Sequence, residues 1–185
     1  MANQKTDDET VVSVATALLR RKGYRGTTMS EVGRACGLLK GSLYNHFASK
    51  EDMAIAAMRR VSRYFQEHIF SIVSLPNLIP AQKLSQLSVT TLEYFESVEG
   101  GCLLGNLALE AMDSGPDFQP LIAQFFQNWI LAYTDIYASA GYSSEDSFRK
   151  GQDAVARIQG ALLLQKVLLS QEPLEAAISS IISSL

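Results

Sequence analysis

The sequence predicts an all-α protein of about nine to ten helices. Three observations predict it. Apolar residues recur at three- and four-residue spacing through most of the 185 residues. No stretch alternates with a period of two, and serine, threonine, glycine and proline stand where helices would start and stop. With 47% apolar residues the chain can bury a sizeable core, while no apolar run approaches the ~20 residues that span a bilayer. The opening MANQKTDDET has no positive region followed by an apolar core, so no secretory signal is expected. Cys36 and Cys102 offer neither a disulfide framework nor a C-x-x-C pair. A cytoplasmic protein with no membrane association, metal or cofactor is expected.

The first helix is expected over residues 8–22, with Val11, Ala15, Leu18 and Leu19 inward and Gly23 as its stop. Thr28 stands three residues before Glu31, a capping box that opens a helix at Met29. Val32 and Cys36 share its inner face, Gly33 admits a neighbouring helix, and Gly37 supplies the positive φ that ends it. Leu38 plugs the turn. A short second helix, about residues 40–46, turns Leu43, Tyr44 and Phe47 inward. Lys40, Ser42, Asn45 and His46 face outward, with Gly41 leaving bare backbone between them. Ser49 and Asp52 cap the next helix, expected to reach about residue 73 before SLPNLIP interrupts it. Helices follow over about 81–98, 102–114, 119–140 and 145–170, with a short last one after Pro173.

Two helices joined by a tight glycine turn, the second short and polar outside, match a helix-turn-helix that reads DNA. An ordinary helical hairpin shows the same spacing, and charge favours the first reading. Residues 1–60 hold 10 Lys and Arg against 6 Asp and Glu; residues 61–185 hold 6 against 13. Arg20, Arg21, Lys22, Arg25, Arg34, Lys40 and Lys50 surround the reading helix, a patch that attracts phosphate.

The run GLLKGSLYNHFASKEDM, residues 37–53, resembles the reading helix and following cap of the TetR family of bacterial one-component repressors. That family's usual run is Gly-Val-Ser-Lys-Gly-Thr-Leu-Tyr-His-His-Phe, followed by Ser-Lys-Glu. This chain departs at Leu39, where a small polar residue is commoner, and at Asn45, often His. The resemblance covers about residues 8–60. It implies a DNA-binding head over residues 1–48 and a ligand-binding and dimerisation body over 49–185. It also implies a homodimer on palindromic double-stranded operator DNA, released by a small-molecule inducer. Thr28, Tyr44, His46 and Lys50 are then expected at phosphates, and Lys40, Ser42 and Asn45 nearest the bases, with Gly41 also among the DNA-binding residues.

In the body, residues 121–137 carry Leu121, Ile122, Phe125, Phe126, Trp129, Ile130, Tyr133, Ile136 and Tyr137, which cover more than the ~100° stripe of one buried face. The following helix, with Val155, Ile158, Leu162, Leu163 and Leu164, has little polar perimeter, and Gly151, Gly160 and Ala161 allow close approach. One side is expected to face the chain's own core and the other a partner, with Phe126, Ile130, Tyr137, Val155, Ile158 and Leu162 as interface candidates. A buried hairpin in a monomer is the alternative. Tyr64, Phe65, Phe95 and Leu107 are candidate walls of an inducer pocket, along with Met58, Leu92, Leu104 and Met112.

Cys102 lies in VEGGCLLG where a helix begins, a place that favours thiolate. The alternative is a small buried hydrophobe. Gly-Gly-Cys-Leu before a helix resembles a TetR subgroup that includes drug-efflux repressors and repressors of N-ethylmaleimide reductase. In the latter type a cysteine here senses electrophiles with a lysine partner, which would be Lys166. Catalysis is not expected: there is no phosphate loop, H-E-x-x-H or Gly-x-Ser-x-Gly, His46 is used by the DNA-facing helix, and His68 has no obvious acid partner except its sequence neighbour Glu67, which points apart on a helix. A helical interaction module that no longer binds DNA remains the other alternative.

Overall fold

The computed structural model describes residues 7–38, 41–111 and 117–185. Among them are eight α-helices and no strand: α1 (Asp8–Lys22), α2 (Met29–Ala35), α3 (Lys50–Tyr64), α4 (Pro80–Glu96), α5 (Leu103–Ala111), α6 (Gln119–Ser139), α7 (Ser144–Leu168) and α8 (Glu172–Ile182). The all-α expectation holds, and eight α-helices stand near the expected nine to ten; two segments wind differently from expectation. One is the stretch expected as the reading helix. The other follows α3.

Local chemistry accounts for the helix starts. Asp7, Thr28, Ser49 and Ser143 each accept from the backbone N–H three residues on, at 2.7, 3.2, 3.0 and 3.1 Å. Each such cap stabilises its helix by about 1 kcal/mol. Pro80, Pro120 and Pro173 stand in the first turns of α4, α6 and α8, where a missing N–H costs nothing.

The chain stays helical after α3 but changes pitch: Phe65–Ile69 form a π turn and Phe70–Ser74 a 3-10 segment. The wide turn carries one extra residue, so the neighbours Ile69 and Phe70 both point into the core, as does Phe65. An unbroken α-helix to residue 73 would have turned one of them outward.

Two apolar clusters form. The smaller joins Val11 and Ala15 of α1, Val32 of α2, Leu43 and Met53. The larger runs through the remaining helices and takes Leu19 from α1 and Ala54, Ala57 and Met58 from α3. Thus α1 and α3 each contribute to both cores. At the centre of the larger core Phe65 touches Phe70, Tyr94, Phe95, Phe125 and Trp129, with ring centroids 4.8–6.0 Å apart.

Helices α6 and α7 pack as a pair. Gly151 makes this possible, because a Cβ there would lie 2.7 Å from the Ile130 carbonyl oxygen. Gly160, expected to serve the same purpose, has nothing within 4 Å of its added Cβ and faces outward. None of the described helices is long and apolar enough to cross a membrane.

Candidate nucleic-acid interface

Helix α2 starts on the Thr28 cap and ends at Gly37, whose φ is 68°. The Leu38 N–H then donates to the Gly33 carbonyl at 2.8 Å and turns the chain. Gly33 is not sterically required here, since an added Cβ would meet Leu43 at an ordinary 3.7 Å. The expected reading helix is a single 3-10 turn, Ser42–Asn45, entered through Gly41 at φ 94°. A backbone in that left-handed region cannot belong to a right-handed helix, so the turn begins only at Ser42. Lys40, expected nearest the bases, and Leu39 lie outside the described residues.

Leu43 anchors the turn in the head core, 3% exposed. Tyr44, expected to share the inner side, points outward instead at 60% exposure. Asn45 and Gly41 are also exposed, and Ser42 is half-buried. His46 turns back, its Nδ1 2.5 Å from Asp8 Oδ1. The Lys50 ammonium lies 4.3 Å over the Tyr24 ring, where burial pulls its pKa below the usual lysine value. Gly41, Ser42, Tyr44 and Asn45 therefore form one outward edge. Thr28 and Lys50 sit at helix starts beside it.

The cationic surround is smaller than its residue count. Lys22 pairs with Glu31, Arg21 with Glu99 at 3.6 Å, and Arg20 is buried on the side away from the turn. Arg25 and Arg34 remain exposed near the turn.

Helix α5 holds this head in place. Glu110 accepts from the Tyr24 and Arg25 N–H groups at 3.1 and 2.8 Å, and Asn106 Nδ2 donates to the Arg20 carbonyl at 2.9 Å. Residues 106 and 110 are one turn apart and share a face. Gly23 leaves the approach open: a Cβ there would sit 1.7 Å from Glu110 Oε1. The sequence marked Gly23 only as a helix stop, and nothing in it points to Glu110 as the acceptor for Tyr24, 86 residues away.

Two family models match this chain. The N-terminal model of bacterial regulatory proteins of the tetR family matches residues 11–57. The C-terminal domain model of LmrA/YxaF-like transcriptional regulators matches residues 80–180, more than half of the chain. The chain belongs to the TetR family. It is a DNA-binding transcriptional regulator of that family, whose members bind operator DNA and form dimers. Among its relatives is the HTH-type transcriptional regulator LmrA of Bacillus subtilis, 27% identical over 90% of this chain and 89% of that protein. The HTH-type transcriptional repressor DhaR of a Mycobacterium species is 23% identical over 95% and 90%. A TetR regulator from Legionella pneumophila shares the fold over 100% of this chain and 98% of its own, with a TM-score of 0.87 at 23% identity. Reduced NemR of E. coli does so over 94% of each chain, with a TM-score of 0.77 at 22% identity.

In this TetR-family chain Cys102 does not have the setting expected of a sensor. It is 5% exposed, and burial pushes its thiol above the usual cysteine value although the Gly105 N–H donates to its Sγ at 3.4 Å. The cation acting on it is Arg20, not Lys166. Lys166 is exposed and lines a cavity of about 370 Å³ with Gly100 and Gly101. The helix start lowers the thiol less than desolvation raises it. N-ethylmaleimide at neutral pH should accordingly modify Cys102 no faster than the half-buried Cys36, as mass spectrometry of peptides would record.

The inducer-wall candidates divide. Phe65, Phe95 and Leu107 are 0%, 2% and 0% exposed within the larger core cluster, to which the buried Met58 and Leu104 also belong. Phe95 also lines the cavity of about 370 Å³ beside Lys166. Met112 lies outside the described residues. Tyr64 alone of the four principal candidates is exposed, lining a cleft between α1, α3 and α4. Of the interface candidates, Tyr137, Val155, Ile158 and Leu162 are buried in the protomer's own core, and Phe126 and Ile130 pack against it. The outward side of α7 instead carries Leu163, Leu164, Val167 and Leu168, all at least half exposed.

Proposed function

We propose that the chain is a ligand-controlled repressor that grips a two-fold operator as a homodimer through the edge formed by Gly41, Ser42, Tyr44 and Asn45. The division falls near residues 48 and 49, with α3 shared by head and body. The observation that carries this reading is the outward edge itself. A buried Leu43 fixes the turn, and a left-handed Gly41 brings bare backbone to the surface beside polar tips. Such an edge suits entry into a major groove. Lys40, adjacent in sequence, is the further base contact this reading assigns, and Thr28, His46 and Lys50 are assigned to the flanking phosphates.

The partner surface is the outward side of α7. A protomer alone would expose a contiguous apolar stripe, with Gly160 at its start leaving space for a second backbone. A two-fold pairing there presents two heads to one DNA face, where successive major grooves recur every ~34–36 Å. A ligand that prefers one head setting shifts the equilibrium between gripping and released forms. The alternative of covalent sensing at Cys102 has no support from its burial and raised pKa, and the likeness to NemR is one of fold.

Lys50→Ala tests the docking. It should weaken binding to all duplexes alike and reduce the slope of log affinity against log salt by about one unit, the signature of one lost phosphate contact. Fluorescence anisotropy at several salt concentrations measures both. An unchanged slope would remove Lys50 from the phosphates.

A further inference from the structure

A cleft of about 700 Å³ opens between α1, the end of α3 and α4, within the usual range for small-molecule sites. Arg20, 6% exposed, forms part of its wall. Its Nη2 donates to the Tyr94 hydroxyl at 2.6 Å, while its Nε is buried with no hydrogen-bond partner. Among the described residues no carboxylate lies within 4.0 Å of this guanidinium. Burial pushes the Tyr94 hydroxyl up to about 12, so the partner of Arg20 is an uncharged phenol. A cation withdrawn from water without a counter-charge is unfavourable.

The other charges of the cleft do not answer that need. Arg60 is taken by Glu9 at 3.2 Å and Arg21 by Glu99 at 3.6 Å. Glu67 and Arg63 are exposed to water. Beside Arg20 stands an aromatic wall. The Tyr64 ring lies 5.0 Å from Tyr94 and 4.6 Å from His68, and remains 39% exposed. A guanidinium prefers a planar carboxylate met by two parallel hydrogen bonds, and an exposed phenol ring prefers a flat apolar surface.

We propose that this cleft binds a small carboxylate carrying a flat apolar body, the carboxylate on Arg20 and the body along Tyr64. Its walls come from α1 of the head and α4 of the body, so occupancy bears on the angle between them. Only that regulatory use rests on the operator-binding reading; the binding itself does not.

Isothermal titration of the full chain without DNA tests the site, with sodium 2-naphthoate as probe and 2-naphthamide as its uncharged counterpart. The naphthoate should bind saturably, one per chain, and at least about tenfold more tightly than the amide, as a charge-assisted contact requires. Arg20→Gln should abolish this preference. Tyr64→Ala, which alters a partly exposed side chain and keeps the fold, should weaken naphthoate binding severalfold. Arg59→Ala, outside the cleft, should leave it unchanged. Absence of saturable binding, equal affinity for acid and amide, or parent-like binding by both Arg20→Gln and Tyr64→Ala would each overturn the site. A chain that binds DNA but not naphthoate overturns this site alone. One that binds naphthoate but no DNA overturns the operator reading alone.

Discussion

Replacing Leu163 by glutamate is expected to give a folded monomer whose operator affinity is at least about a hundredfold below that of the parent chain. Leu163 is 61% exposed in the protomer, so a carboxylate there is solvated and the single chain keeps its core. Across a two-fold interface the same carboxylate meets apolar surface and its own copy nearby, and burying an unpaired charge costs several kcal/mol. Once the second head is lost, so is the effective concentration that links two half-site contacts, a factor of ~10²–10⁴. Light scattering should report one chain, with the circular dichroism of the parent. Ile158→Glu makes the contrast: that residue is fully buried within the protomer, and its replacement should unfold the chain. A Leu163→Glu protein that remains a dimer would place the interface elsewhere.

The second large effect belongs to Phe65→Ala. Phe65 is fully buried and contacts five aromatic rings from the 3-10 segment, α4 and α6. Truncation removes apolar burial and leaves a cavity that these large rings cannot close, so about 3–5 kcal/mol should be lost. In a chain of this length that lowers the melting temperature by on the order of 10 °C. Tyr64→Ala, one residue earlier and 39% exposed, should cost far less. A melting temperature unchanged by Phe65→Ala would mean that the core is not centred there.

Helix starts were legible because a cap is local: Thr28 with Glu31 and Ser49 with Asp52 announce their helices within four residues. The helix-turn-helix and its anchor Leu43 followed from the same short-range spacing. The shape of the reading turn did not, since periodicity over seven residues cannot tell a helix from one 3-10 turn entered through Gly41. Nor was the π turn after α3 visible, because the aromatic contacts that hold it come from distant helices.

On α7 the pattern revealed two apolar sides but not which one lies inside. Val155, Ile158 and Leu162 differ from Leu163, Leu164 and Val167 only in direction, and that direction is set by Gly151 against the Ile130 carbonyl. Charge counting went astray at Arg20 for a related reason. An arginine in the last turn of a helix looks like part of a phosphate-binding patch, yet Tyr94, 74 residues later, draws it to the other side. Cys102 shows the limit of a helix-start argument: the dipole is local and legible, while the burial that outweighs it is tertiary.

The most direct measurement is selection of bound sequences by the purified chain from a pool of random duplexes at physiological salt. A dimer gripping DNA through the Gly41–Asn45 edge should enrich a two-fold symmetric sequence, with half-sites in major grooves on one face of the duplex. Ser42→Ala with Asn45→Ala should relax base preference inside those half-sites while retaining salt-dependent binding. Failure to enrich any sequence above the random pool, or enrichment of a single half-site that the double variant reads unchanged, would contradict it.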